Sequence, residues 1–254
     1  ANRLVGNPED GAGVEALLGG LVLRTAAPAV LAVTGAPAPV DVDGSPAGHA
    51  SVLVLRAGQT LRLGTAAAGL RTYVAVRGGL AVPPVLGSRS RDTLAGLGPE
   101  PLAAGDRLPV GPPPAQPPPV RTVPVPAPPT GTVVLAVHPG PRADWFEDPA
   151  VLFAGSWRVT PESDRVGVRL ERPAGQPPLV RSVTAELPSE GVALGSLQVP
   201  PTGRPVLFGP DHPITGGYPV IGVVRDADVD LVAQVRPGQS LRFRPAPVRP
   251  GVPA

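Results

Sequence analysis

Apolar residues along this chain fall in short runs, each closed by glycine, proline or a charged turn. The run Arg71-Thr72-Tyr73-Val74-Ala75-Val76 alternates polar and apolar side chains at its start, as a half-buried strand does. Similar runs predict strands over 21–24, 29–34, 51–55, 61–63 and 71–76 in the first half. In the second half they predict strands over 132–138, 157–159, 166–170, 206–208, 220–224 and 240–244. One segment, 13–18, reads as a short helix. Between the halves, residues 112–130 are mostly proline, valine and alanine, an extended spacer or surface strap. This predicts an N-terminal β domain over 1–111, a Pro-rich linker over 112–130 and a C-terminal β domain over 131–254.

One frame, apolar-x-x-Gly-Gln/Asp-x-Leu, recurs at Leu55–Leu61, Leu102–Leu108 and Val235–Leu241. Pro237-Gly238 is a type II turn pairing, with proline setting φ and glycine supplying a positive φ. Each copy delivers the chain towards a strand, so the frame is structural. Its presence in both halves predicts related β modules, and the fold class is mainly β, in barrels or a barrel-like sandwich.

Composition narrows the chemistry. Thirty-nine prolines and 32 glycines make long helices improbable and suit short strands between turns. With no cysteine, thiol nucleophiles, disulfides and Cys-ligated zinc are excluded. All 22 basic residues are arginine. A P-loop needs a lysine on its phosphates, and pyridoxal phosphate or biotin attachment needs one for the cofactor. If ATP or biotin matters here, another polypeptide supplies its site. The net charge of +2 comes with no basic run interleaved with aromatics, which argues against nucleic acid. No apolar run reaches membrane-spanning length and no signal peptide pattern opens the sequence, which fits a cytoplasmic protein.

Several motifs invite chemistry and fail on context. Gly11-Ala12-Gly13-Val14-Glu15-Ala16 follows a turn-like stretch rather than a strand, so it is not a dinucleotide fingerprint. His49, His138 and His212 lack metal-ligand spacing, so no metal is expected. Four polar clusters are stronger candidates. Ser88-Arg89-Ser90 offers a guanidinium fork and two hydroxyls for a carboxylate. Arg165 and Arg169 lie two strand periods apart, which predicts a shared face. Glu186 and Glu190 are paired carboxylates, with Gln198 close behind. The stretch Asp211-His212-Pro213-Ile214-Thr215-Gly216-Gly217-Tyr218 crowds polar groups and glycines before an apolar strand. The last three of these clusters together favour a polar site built by the second half.

Seven blocks stand in order along the chain: Asn2-Arg3-Leu4-Val5-Gly6-Asn7, Tyr73 to Gly79, Leu86-Gly87-Ser88-Arg89-Ser90, Ser163-Asp164-Arg165-Val166-Gly167, Leu187-Pro188-Ser189-Glu190-Gly191, Gln198-Val199-Pro200-Pro201, and His212 to Pro219. As an ordered set covering nearly the whole chain, they resemble the biotin-dependent carboxyltransferase family, also called allophanate hydrolase subunit 2. Members usually carry a further N-terminal stretch with the motif T-V-Q-D-x-G-R, whereas this sequence opens at Ala1 inside the next block.

The resemblance implies a cyclophilin-like β-barrel fold for the C-terminal domain. The family's best-defined role is as component C of bacterial 5-oxoprolinase, which hydrolyses the lactam of 5-oxoproline to glutamate with ATP. That role implies ATP use by a partner, component A, and no cofactor on this chain. It also implies a site shared with component B, a partner that resembles allophanate hydrolase subunit 1. The resemblance assigns Arg89, Arg165 and Arg169, with Ser88, Ser90, Gln198, Thr215 and Tyr218, to substrate binding. Asp211, His212 and Glu190 become candidates for water activation or proton transfer. Gly216 and Gly217 would bring backbone N–H groups to a developing oxyanion. The same family implies two alternatives: the carboxyltransferase component of urea breakdown, with biotin on a partner, and a regulatory antagonist of a histidine-kinase inhibitor.

Overall fold

A computed structural model describes residues 1–118 and 120–247. Pro119 of the proline-rich segment and residues 248–254 of the expected C-terminal domain lie outside the described residues. The chain divides into two compact units, Ala1–Pro128 and Pro129–Ala254.

The first unit opens with a one-turn helix, α1 (Asn2–Val5), followed by eight strands. These are β1 (Val14–Leu17), β2 (Val22–Arg24), β3 (Ala29–Gly35), β4 (Val40–Val42), β5 (Ser45–Ala47), β6 (Val52–Leu55), β7 (Thr60–Leu63) and β8 (Arg71–Val76). They form two antiparallel four-stranded sheets in the orders β1-β8-β3-β6 and β2-β7-β4-β5. Val14, Leu31, Val33 and Val74 of one sheet share a core with Val40, Leu61 and Leu63 of the other. Such aliphatic burial is worth about 1.5–3 kcal/mol per side chain. The core therefore forms without aromatic residues.

The segment 13–18 forms strand β1 (Val14–Leu17), not the expected helix. Val14 and Ala16 are buried while Glu15 and Leu17 point outward, a period of two set by pairing with β8. Tertiary pairing overrides the helix preference of Ala, Leu and Glu. The opening Asn-Arg-Leu-Val-Gly-Asn block also has a structural task. Asn7 Nδ2 donates to the Val76 carbonyl at 2.8 Å, and its Oδ1 accepts the Gly78 N–H at 2.9 Å. Leu4 and Val5 meanwhile pack on Ala32 and Ala75.

The proline-rich segment is fastened to this unit as far as Pro128. Arg77 donates to the carbonyls of Val5 and Pro114, at 2.7 and 2.6 Å. Val52 N–H donates to Arg121 O and Val123 N–H to Ala50 O, completing the attachment.

The second unit is a closed barrel. Its strands are β9 (Val133–Pro139), β10 (Trp157–Val159), β11 (Gly167–Glu171), β12 (Glu190–Gly191), β13 (Ser196–Gln198), β14 (Val206–Phe208), β15 (Thr215–Gly216), β16 (Val220–Val224) and β17 (Ser240–Pro245). Seven of them close in the order β10-β11-β14-β13-β16-β9-β17, while β12 and β15 form a separate two-stranded ribbon. Closure leaves the barrel no free edge. Trp157, Leu135, Leu170, Leu197, Leu207 and Leu241 fill it. The Trp157 indole N–H donates to Leu152 O at 3.0 Å, and the Arg172 guanidinium lies 3.9 Å above the ring. Burial pushes the Arg172 pKa down. A second short helix, α2 (Asp226–Val232), inserts the buried Asp228 carboxylate against the Ala136 N–H of β9 at 2.8 Å.

All three copies of the recurring frame make one turn. Gly58, Gly105 and Gly238 have φ of 84°, 95° and 84°. In each, the Gln or Asp side chain after the glycine accepts the N–H three residues back. These are Arg56 to Gln59 at 2.7 Å, Ala103 to Asp106 at 2.7 Å and Arg236 to Gln239 at 3.1 Å.

Candidate functional site

The polar residues of the second unit separate along one connection, residues 209–219, which joins β14 to β16. In the barrel register Phe208 lies beside Gly167, whereas Gln198 pairs with both Val206 and Val220. The connection therefore leaves one end of the barrel and re-enters at the other, passing the length of the three-residue strand β13.

At the first end, Arg165 forks Asp211, with Nε 3.0 Å from Oδ2 and Nη2 donating to Oδ1 at 3.2 Å. Backbone bonds from Gly209 N–H to Val166 O and from Asp211 N–H to Arg165 O hold the same junction. The His212 ring is 6.0 Å from the Phe208 ring, and its Nδ1 is 2.8 Å from the Pro213 carbonyl. A carbonyl only accepts, so Nδ1 carries the proton and the neutral ring keeps its lone pair on Nε2.

Arg165 and Arg169 do not share a face as the period-two reading expected. The strand begins at Gly167, because Asp164 Oδ1 accepts the N–H groups of Val166 and Gly167 in a turn. Arg169 donates instead from Nε to Glu162 O at 3.1 Å.

The second end is more tightly built. Glu190–Gly191 pairs with Thr215–Gly216 as an antiparallel ribbon, extended by Val192 N–H donating to Ile214 O at 2.8 Å. Arg142 forks the Glu190 carboxylate, one contact being Nε to Oε2 at 3.1 Å. The Arg142 hydrogen bond holds the Glu190 carboxyl below the usual carboxylate range, and Glu190 raises the Arg142 pKa in turn. Gln198, only 6% exposed, donates from Nε2 to the Tyr218 carbonyl at 3.0 Å. Gly216 lies against that amide so closely that an added Cβ would sit 2.4 Å from Gln198 Nε2. Tyr218 and Ile214 are exposed.

The ribbon changes one expectation. Gly216 is paired with Glu190 in the ladder, so its N–H is used by the backbone and Gly217 is left as the candidate donor. Among the described residues, no group of three or more His, Cys, Asp or Glu side chains is arranged to hold a metal ion. No helix among them is long and apolar enough to cross a membrane.

Ser88, Arg89 and Ser90 belong to the first unit. They follow a two-residue turn in which Val85 and Ser88 exchange backbone bonds around Leu86 and Gly87. Ser88 Oγ accepts the Ser90 N–H, and Arg89 commits its Nε to Val82 O at 2.7 Å. Arg142, which sequence reasoning missed, lies 48 residues from its partner and carries no local signal beyond the Pro-Gly-Pro turn before it.

Residues 1–245 match the carboxyltransferase domain family, subdomains A and B. The chain is 35% identical over 248 residues to component C of the 5-oxoprolinase of Escherichia coli, covering 96% of this chain and 78% of that one. It is 30% identical over 272 residues to urea amidolyase of Lachancea kluyveri, covering 96% of this chain but 15% of that one. The crystal structure of TTHA0988 superposes with a TM-score of 0.84 at 34% identity, over 96% of this chain and 47% of that chain. The present chain thus spans about half the length of that solved relative. On a family match that runs through both units, the chain belongs to the carboxyltransferase domain family, subdomains A and B.

Proposed function

We propose that this chain is component C of an ATP-dependent 5-oxoprolinase, acting with partner components A and B to open the lactam of 5-oxoproline to glutamate. The observation that carries the reading is its correspondence with most of the E. coli component, 78% of whose length it covers. ATP use falls to component A, since this sequence has no lysine for a phosphate loop.

Lactam hydrolysis adds water across the C–N bond: oxygen attacks the carbonyl carbon, the C–N bond breaks, and the nitrogen gains a proton. An amide substrate asks for one acceptor and one donor. The Gln198 side chain gives its Nε2 to Tyr218, so its Oε1 is the acceptor suited to the lactam N–H. The Gly217 N–H is suited to the carbonyl oxygen as it gains charge. Glu190 is a weak base because the Arg142 hydrogen bond holds its carboxyl below the usual carboxylate range. Its part is to position the ribbon. Asp211 is engaged by Arg165, and it and His212 lie at the other end of the barrel from Gly217, so neither is the base beside the ribbon. Arg169 spends its Nε on a carbonyl and is the arginine of this unit suited to the substrate carboxylate.

A second reading, the carboxyltransferase component of urea breakdown with biotin on a partner, is favoured by the likeness to urea amidolyase across nearly all of this chain. The test is ATP-dependent release of glutamate from 5-oxoproline by the chain co-purified with components A and B. A parallel assay follows urea consumption with bicarbonate and a biotin-bearing partner. Glutamate release supports the first reading; urea consumption alone replaces it with the second.

A further inference from the structure

We propose that Arg142 is a positioning residue for the candidate site, acting through Glu190 to fix the ribbon that presents Gly217 and Tyr218. This rests on the reading above for its link to lactam opening. The starting point is the corner after β9. Gly140 approaches the β16 backbone so closely that an added Cβ would lie 2.3 Å from Val220 O, and its N–H donates to Ile221 O at 2.9 Å. Arg142 N–H then donates to Val220 O at 3.2 Å. The backbone of Arg142 is therefore tied to the barrel wall before its side chain reaches anything.

From that fixed base the guanidinium forks Glu190, with both side chains about one-third exposed at 35% and 33%. Glu190 begins the two-residue ribbon strand opposite Thr215–Gly216. A ladder of two residues per strand has little stability of its own, so an external anchor matters more here than in the barrel. The remaining support acts on the other strand, where Gln198 packs against Gly216 and donates to the Tyr218 carbonyl. Arg142 and Gln198 thus grip the ribbon from two barrel elements. Gly217, which takes no part in the ladder, directly follows the gripped Gly216. Removing the Arg142 grip leaves the barrel core untouched, because neither Arg142 nor Glu190 belongs to it.

A purely structural salt bridge would change stability and nothing else, so the test reads order at the ribbon and turnover separately. In the isolated chain, Arg142→Ala should speed amide exchange at Val192 and Gly216 about fivefold or more. Exchange at Leu197 and Leu207 in the barrel should stay at the wild-type rate. In the assembled complex, Arg142→Ala should lower kcat for glutamate release about tenfold or more with a smaller change in KM, as expected when a binding group is displaced from its working position. Exchanging the partners, Arg142→Glu with Glu190→Arg, should recover part of both losses. Unchanged ribbon exchange in Arg142→Ala would overturn the proposal, and so would faster exchange with wild-type kcat. A wild-type complex that releases no glutamate would remove the functional reading instead, while ribbon exchange still decides whether Arg142 holds the ribbon.

Discussion

The two units draw on the same residue types and even the same turn, yet they treat their polar clusters differently. In the second unit, Arg142, Glu190, Gln198 and Gly216 are held by one another between barrel strands. In the first, Ser88, Arg89 and Ser90 sit on an excursion from 81 to 107 in which no residue is buried. Leu86 at its turn is 92% exposed with a φ of 50°. Polar density alone thus does not separate an ordered site from a surface loop. What separates them is whether each polar group finds a partner fixed by a different element.

The largest expected effect lies in the barrel core. Trp157→Ala removes a fully buried ring, its hydrogen bond to Leu152 and the platform under Arg172. Chemical denaturation should report a loss of about 3–5 kcal/mol in the second unit. A loss under about 1 kcal/mol would mean that the barrel does not depend on its largest buried aromatic.

Gly216→Ala comes next. Its methyl group meets the Gln198 amide, so either that side chain moves or the ribbon does, at a cost of about 1–3 kcal/mol. Gly87→Ala, with nothing within 4 Å of the added Cβ, carries only the strain of its positive φ, about 1 kcal/mol. Equal effects from the two would erase the contrast between the clamped ribbon and the open loop.

The shared turn provides a matched pair. Gln239 closes on Arg236 N–H and donates to the carbonyls of Pro129 and Gly131, whereas Gln59 closes on Arg56 N–H and donates to Asp43. Alanine at either position should cost about 1 kcal/mol by thermal denaturation, because each loses a few largely exposed hydrogen bonds. A loss several times larger at only one would show that the turns do different work.

The smallest effect is that of acid. Burial opposes the Asp228 charge, but the Ala136 N–H and Arg225 outweigh it, so its carboxyl lies below the ordinary value. Glu190 is lowered by Arg142. A carboxyl depressed in the folded state adds stability above its unfolded pKa, which is lost as pH falls through the folded value. Both groups lie in the second unit, whose stability should therefore start to decline below about pH 4, the ordinary carboxyl range. Asp228→Asn should flatten that decline. An unchanged acid profile in this variant would remove Asp228 as its source.

Much of the fold was legible in the sequence because short apolar runs between turns leave few alternatives. The strand expected at 71–76 is β8, residue for residue. The misses have physical causes. Segment 13–18 carries good helix formers and becomes a strand through its partner β8. The hairpin of β4 and β5 was overlooked despite its Asp43-Gly44 turn, in which both residues have positive φ. The acidic first turn of α2, Asp226 and Asp228, was likewise a readable start signal. For the candidate site, sequence reasoning found Glu190, Gln198, Gly216 and Tyr218 as separate motifs. Their assembly depends on barrel closure, which brings residues 142 and 190 together and sends 211 and 217 towards different ends. No local pattern encodes that.

The central claim is that the ribbon end of the second unit meets the substrate. Its most direct test is amide hydrogen exchange of the chain assembled with components A and B, with and without 5-oxoproline under ATP. The account predicts new protection at residues 190–192 and 214–219, largest at Gly217. Protection confined to residues outside 190–219 would contradict it.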